Sequence, residues 1–215
     1  MKIIFLGDSI TEGVGATSEK SRYVNKVAEI CGVKTENFGV SGTRIARQAH
    51  PTEYRTFDYD FQMRAEVMSK DADMVFVFGG TNDYGHGDAK IGNPTDTDPY
   101  TFYGGLNNLI KRLVGTYGRE KLCFILPLRR FNDENAYGDG SKTTPTLDLK
   151  GYVDIIKSVC EKNGIDYIDL YSEGFPKPIT RGDEFTIDGL HPNDKGHLFI
   201  AEKIKEYLKK TKKIG

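Results

Sequence analysis

Short apolar runs alternate along the chain with longer segments in which apolar residues recur every three or four positions. Unbroken runs of β-branched and aromatic residues are typical of strands buried on both faces, as in a parallel sheet. The clearest run, Met-Val-Phe-Val-Phe at 74–78, ends at a pair of glycines. Further strands are predicted at 3–6, 122–126 and 165–170, and a less regular one at 33–40.

Helices are predicted between these strands from apolar residues at helical spacing. The helical faces begin at Tyr23, Tyr103, Leu149 and Leu198, and the stretch 52–70 is helical in part. The last helix is expected to have Asn193 or Asp194 as its N-terminal cap.

The alternation of strands and helices predicts an α/β fold, with a five-stranded parallel sheet, right-handed crossovers and helices on both faces. No repeat or break in composition divides the chain, so residues 1–215 are expected to form one domain. Ligands of such sheets bind beyond the carboxyl ends of the strands. Two polar segments, 84–98 and 129–145, follow strands and are predicted to be long loops at this edge.

Composition narrows the function classes. Thirty basic and 31 acidic residues give a net charge of −1, which argues against a nucleic-acid partner. The three cysteines are widely spaced, which favours reduced thiols over disulfides or a zinc site.

No apolar stretch has the length of a signal peptide core or a membrane span, so we expect a cytoplasmic protein without a membrane partner. The oligomeric state is left open.

Several common motifs are missing. The chain lacks the glycine pattern of a dinucleotide fold, a phosphate-binding loop and the G-x-S-x-G turn of α/β-hydrolases. These absences count against a nucleotide or flavin binder.

Two segments carry groups suited to nucleophilic catalysis. Ser9 directly follows the first predicted strand, where a serine becomes a nucleophile if a base removes its proton. His191 precedes the last helix, and Asp188, three residues earlier, is close enough to orient an imidazole. Taken singly, Ser9 also suits a polar turn, and His191 suits a loop histidine that bonds a nearby acid.

Two further segments supply hydrogen-bond donors at the same sheet edge. Gly42 follows the second strand, where a residue without a Cβ lets its N–H approach a substrate. Asn82 follows the third strand and carries a carboxamide. Together with the Ser9 N–H, these donors are suited to an oxyanion, and each such donor is worth about 3 to 4 kcal/mol in comparable enzymes.

The four segments together resemble the SGNH (GDSL-type) hydrolase family, whose motifs occur here in the family's order along nearly the whole chain. The resemblance implies a flavodoxin-like three-layer α/β/α sandwich that uses no metal or other cofactor. It further implies that Ser9 is the nucleophile, His191 the base and Asp188 its orienting acid. Ser9, Gly42 and Asn82 would form the oxyanion hole. Ile10 replaces the family's usual leucine, which leaves the chemistry unchanged.

The substrate is expected to be a small-molecule ester. The polar loops favour a small acyl group on a polar or carbohydrate alcohol, because a long acyl chain needs a continuous apolar groove. Tyr84 is a candidate to stack on a sugar, or else packs its loop. Arg129, in the pair Arg129-Arg130, is a candidate to steer an anionic substrate, or else anchors its loop. Two other readings remain open: a lysophospholipase or thioesterase, and a glycan-binding module without turnover.

Overall fold

A single parallel sheet of five strands organises the computed structural model, which describes residues 1–215. The strand order is β2-β1-β3-β4-β5, and every neighbouring pair is parallel. The predicted α/β architecture is therefore confirmed. The strands are β1 (Lys2–Gly7), β2 (Lys34–Gly39), β3 (Met74–Phe78), β4 (Leu122–Ile125) and β5 (Asp166–Ile168).

Seven α-helices connect or follow these strands. Three of them are short and begin just after a strand or in a loop: α1 (Ser9–Glu12), α3 (Phe61–Ala65) and α4 (Thr81–His86). The longer helices are α2 (Tyr23–Cys31), α5 (Phe102–Tyr117), α6 (Leu149–Asn163) and α7 (Asp194–Lys210). No helix is both long and apolar enough to cross a membrane.

Side chains of the central strands alternate between two cores, because successive residues of a strand face opposite sides of the sheet. Ile4 and Leu6 of β1 belong to a cluster of 29 buried residues shared with α3, α5 and α6. Ile3 and Phe5 belong to a second cluster of 19 buried residues shared with α2 and α7. The result is the predicted three-layer arrangement, with helices on both faces of the sheet.

The chain changes direction across the sheet at β1, because β2 lies on one side of it and β3 on the other. Such a switch opens a crevice beyond the carboxyl ends of the strands, where ligands bind in open α/β sheets. β1, β2 and β3 end at Gly7, Gly39 and Phe78, and the segments after them hold Ser9, Gly42 and Asn82. The fold therefore brings three of the predicted site segments to one edge.

One segment differs in detail from the sequence-based prediction, and two others agree with it. Residues 84–86, predicted as loop, lie in α4, which begins after Gly80 in the left-handed conformation (φ +108°). The stretch 52–70 contains a 3₁₀ turn at Arg55–Asp58 and the short helix α3. The segment 129–145 contains no helix or strand, as predicted.

Candidate active site

Ser9 lies at the carboxyl end of β1 as the first residue of α1, and only 5% of its surface is exposed. Asp8 caps this helix, and its carboxylate accepts a hydrogen bond from the Ile10 N–H at 3.0 Å. The Ser9 N–H lies in the first turn, where backbone donors have no acceptor inside the helix. A buried strand and a capped turn thus hold both the hydroxyl and the amide of Ser9 at the sheet edge.

Asp8 itself is almost completely buried. Burial raises its pKa to about 6, although the Ile10 N–H and the nearby positive charge of Arg64 favour the carboxylate. Asp8 therefore changes from neutral to negatively charged as the pH rises through about 6.

The side chain of Ser9 meets His191 in the crevice. Ser9 Oγ lies 3.0 Å from His191 Nε2, and His191 Nδ1 lies 2.7 Å from Asp188 Oδ2. A carboxylate accepts from Nδ1–H, which leaves the lone pair of Nε2 free to accept from the Ser9 hydroxyl. The three side chains can therefore form a hydrogen-bonded chain in which the imidazole is ready to take a proton from serine.

Asp188 is held by the backbone of its own loop. Its Oδ1 accepts from the N–H groups of Leu190 at 2.9 Å and His191 at 2.7 Å. Burial disfavours the carboxylate, but the hydrogen bonds from the His191 ring and backbone outweigh it and keep the pKa of Asp188 below its usual value. Asp188 is accordingly ionised at neutral pH.

Close packing fixes the loop that carries Asp188 and His191. Gly189 has a φ of +82°, and a Cβ there would lie 2.7 Å from Phe131 Cβ. The loop leads directly into α7, whose cap is Asn193, one of the two predicted candidates. The Asn193 carboxamide oxygen accepts from the N–H groups of Lys195 and Gly196 at 3.0 and 3.1 Å.

The two remaining predicted donors lie on adjoining segments. Gly42 has a φ of +74°, and a Cβ there would lie 2.5 Å from the Phe57 ring. Its N–H donates to no atom of the protein. Asn82 Nδ2 donates to the carbonyl of Thr43 at 3.0 Å, which uses only one of its two hydrogens. The structure thus joins Asn82 to the residue next to Gly42 and leaves donors on both free for a ligand.

Arg64, which sequence analysis did not select, ties these segments together. Its guanidinium donates to the Gly7 carbonyl at 2.9 Å, to Thr43 Oγ1 at 2.7 Å and to the Phe38 carbonyl. Burial lowers the pKa of Arg64 to about 10, so it remains cationic at neutral pH. No pattern in the sequence indicated this role. A charged residue on a short helix is usually exposed, so a buried position was not expected for Arg64.

Asp83 fixes the segment after Gly42. Its carboxylate accepts from the N–H groups of Ile45 at 3.0 Å and Ala46 at 2.9 Å. Burial raises the pKa of Asp83, although the two hydrogen bonds to its carboxylate act in the opposite direction. Asp83 directly follows Asn82, so one turn of α4 carries both a candidate oxyanion donor and the group that positions its neighbouring segment.

The expectations for Tyr84 and Arg129 require correction. Tyr84 has 0% exposure and donates its hydroxyl to the Asn132 carbonyl at 2.8 Å, so its ring offers no face to a substrate. Arg129 Nε donates to Asp133 Oδ2 at 2.5 Å, and its guanidinium lies 4.7 Å from the centre of the Tyr171 ring. Both residues act as loop anchors, the alternative considered for each.

The neighbouring Arg130 lines a cavity of about 100 Å³ beside Asp188. Ten residues line this cavity and only two of them, Phe131 and Leu190, are hydrophobic. The space next to Asp188 is therefore polar. The doublet Arg129-Arg130 was the available sequence signal, but nothing in it distinguished the loop anchor from the cavity residue.

Comparison with known proteins supports the likeness seen in the motifs. The model of the GDSL-like lipase/acylhydrolase family matches residues 5–198. A protein from Lactobacillus plantarum is 28% identical with a TM-score of 0.77, and the match covers 97% of this chain and 96% of that one. A search of curated proteins gives no match.

Two less similar structures share the fold. A lipase/acylhydrolase from Enterococcus faecalis is 22% identical with a TM-score of 0.69, over 100% of this chain and 97% of that one. An acetyl xylan esterase is 24% identical with a TM-score of 0.63, over 97% of this chain and 100% of that one.

Proposed function

The chain belongs to the GDSL-like lipase/acylhydrolase family, and for this reason we propose that it is a serine esterase that cleaves carboxylic esters through an acyl-enzyme. The observation that carries the proposal is the pair of short contacts that link Ser9 Oγ to His191 Nε2 (3.0 Å) and His191 Nδ1 to Asp188 Oδ2 (2.7 Å). A serine with a base in hydrogen-bond reach, and an acid behind that base, is the arrangement that activates a hydroxyl for acyl transfer.

In the first step, Ser9 Oγ attacks the ester carbonyl carbon while His191 Nε2 takes the hydroxyl proton. The resulting imidazolium is stabilised by the carboxylate of Asp188, which keeps Nδ1 protonated and the ring oriented. The low pKa of Asp188 supports this role, because a neutral acid would give little stabilisation to the charged ring.

The carbonyl oxygen becomes an oxyanion in the tetrahedral intermediate. The N–H groups of Ser9 and Gly42 and the free Nδ2 hydrogen of Asn82 are the donors proposed to bind it. Hydrogen bonds fixed in advance by the fold stabilise this charge without reorganisation during the reaction, and the loss of one donor costs about 3 to 4 kcal/mol in comparable enzymes.

The intermediate collapses when the C–O bond to the alcohol breaks and His191 returns its proton to the departing oxygen. A water molecule then attacks the acyl-enzyme carbonyl, with His191 again as the base. Cleavage of the bond to Ser9 Oγ releases the carboxylic acid and restores the serine. Each turnover consumes one ester and one water and leaves the protein unchanged.

We further propose that the substrate carries a small, acetyl-type acyl group on a polar or carbohydrate alcohol. The polar cavity beside Asp188 supports this choice, because its lining offers hydrogen-bond donors and acceptors rather than an apolar surface for a long chain. A related fold in an acetyl xylan esterase is consistent with the same chemistry.

Two measurements test the proposal. A fluorophosphonate probe should label the wild-type protein at Ser9 and leave Ser9→Ala unlabelled, because only an activated serine reacts quickly. A series of nitrophenyl esters should be hydrolysed faster at two acyl carbons than at eight. Absence of both labelling and turnover would refute an esterase, whereas faster cleavage of the eight-carbon ester would indicate a lysophospholipase-type or thioesterase-type substrate.

A further inference from the structure

Arg130 is a buried cation with donors that the protein does not use. Only 9% of it is exposed, and it forms no ion pair with any carboxylate. Its Nη1 donates to the carbonyl and the hydroxyl of Thr81, both at 3.3 Å, while Nε and Nη2 donate to no protein atom. A guanidinium has five N–H donors in a fixed plane, so most of this group's hydrogen-bonding capacity is free.

Arg130 is linked to two of the segments that carry proposed catalytic groups. Thr81, which accepts from Arg130, directly precedes Asn82. The cavity that Arg130 lines is also bordered by Asp188, Gly189 and Leu190, the segment that leads into His191. An alcohol portion of the ester bound in this cavity would lie next to the segment that carries the base.

The other charged groups of the cavity already have partners. Asp188 accepts from the ring and backbone of His191. Asp139 accepts from the Ser141 N–H at 3.0 Å and lies 3.3 Å from His86 Nδ1. Arg181, which also lines the cavity, lies with its guanidinium 5.8 Å from the centre of the Phe131 ring and adds a second positive charge.

Burial disfavours the guanidinium and lowers the pKa of Arg130, although the negative charges of Asp139, Asp188 and Asp133 act in the opposite direction. The Tyr84 ring, whose centre lies 5.4 Å from the guanidinium, offsets part of this cost through its π-face. A carboxylate would offset far more, because its two oxygens match two parallel N–H groups of arginine. A cavity of about 100 Å³ has room for such a group, since one water molecule takes about 30 Å³ in the liquid.

We propose that Arg130 binds a carboxylate on the alcohol portion of the substrate, so that the preferred esters are acetyl-type esters of acidic sugars or similar hydroxy acids. The inference rests on the proposed esterase function and narrows its substrates to esters whose alcohol portion carries a carboxylate. It assigns to Arg130 the anion-binding role that the sequence had suggested for its neighbour Arg129.

The test compares two substrates that differ only in this charge: an O-acetylated methyl galacturonoside with a free carboxylate, and the same compound as its uncharged methyl ester. For the wild-type protein we expect kcat/KM to be at least about tenfold higher for the acid, the scale of one charge-assisted hydrogen bond. Arg130→Met should bring the ratio of acid to methyl ester to about one, and Arg130→Lys should give an intermediate ratio.

Arg112→Met is the matched control, because Arg112 is a half-exposed arginine of α5 paired with Glu66 at 2.9 Å. This variant should keep the wild-type ratio. Melting temperatures are measured alongside, since Arg130 also contacts Thr81. If Arg130→Met does not fold, the wild-type ratio and the Arg130→Lys variant decide the matter.

The outcomes separate the two proposals. Equal hydrolysis of both acetyl esters by the wild-type protein, or an unchanged ratio in folded Arg130→Met, would overturn the carboxylate site and leave the esterase intact. Failure to hydrolyse either ester, together with no fluorophosphonate labelling, would overturn the esterase itself.

Discussion

Ser9 Oγ lies 3.0 Å from His191 Nε2, although 182 positions separate the two residues in the sequence. The first is held at the end of a buried strand and the second just before the cap of the last helix. A contact between such distant segments depends on the whole sheet being assembled, so the reactivity of Ser9 reports on the integrity of the fold as well as on local chemistry.

Replacement of either partner should remove most of the activity. We expect Ser9→Ala and His191→Ala each to lower kcat on nitrophenyl acetate by roughly 10³-fold or more, because nucleophile and base act as a unit. Ser158→Ala, at an exposed position of α6, is the control and should retain wild-type turnover. Substantial turnover by purified Ser9→Ala would contradict the mechanism.

Asn82→Ala tests the oxyanion donors separately. Loss of the carboxamide should lower kcat by roughly 10²- to 10³-fold with little change in KM, because the interaction forms mainly in the transition state. The substitution also leaves the Thr43 carbonyl without its partner at 3.0 Å, so the melting temperature is measured in parallel. A rise in KM at constant kcat would show that Asn82 binds the ground state instead.

Asp83→Asn should loosen the segment after Gly42. An amide has one carbonyl oxygen for the two N–H groups of Ile45 and Ala46, and its own NH₂ would face the other. We expect the free energy of unfolding to fall by about 1 to 3 kcal/mol, the cost of one unsatisfied buried donor. Urea unfolding measures this loss, with Asp154→Asn on the exposed side of α6 as the control.

Asp8 should make the free energy of unfolding of the wild-type protein depend on pH below neutrality. Its pKa is about 6 in the folded protein against 3.8 for a free side chain, so between these values the native state binds more protons than the unfolded chain. The contribution of Asp8 to the free energy of unfolding is therefore fully present below pH ~4 and is lost as the pH rises through ~6. The total loss is up to about 3 kcal/mol.

Asp8→Asn removes this titration and keeps an oxygen that can accept from the Ile10 N–H. Relative to wild type, the variant should gain stability between pH 4 and pH 7 in urea unfolding. Stability curves that stay parallel over this interval would contradict the assignment to Asp8.

Sequence alone predicted the features that depend on local pattern. Runs such as 74–78 identified the strands, and alternation of strands and helices identified the layers. The motifs also predicted that Ser9, Asp188 and His191 would meet, and the structure does bring them into contact; their catalytic roles remain proposals.

The sequence did not predict partners supplied by remote backbone. Tyr84 follows a polar motif and gives no sign of burial, yet α4 turns it into the core, where the Asn132 carbonyl accepts its hydroxyl. Arg129 and Arg130 are identical in type and adjacent, and only the surrounding loops decide which one meets Asp133 and which one meets the cavity. Such distinctions arise from tertiary packing and leave no periodic trace in the chain.

The guanidinium of Arg64 spans the ends of β1 and β2 and the segment that follows Gly42. Arg64 therefore couples the end of the strand that carries Ser9 to the segment that carries Gly42, so that a movement of one is transmitted to the other. Mutations far from the crevice that displace α3 would reach the reaction centre through this single side chain.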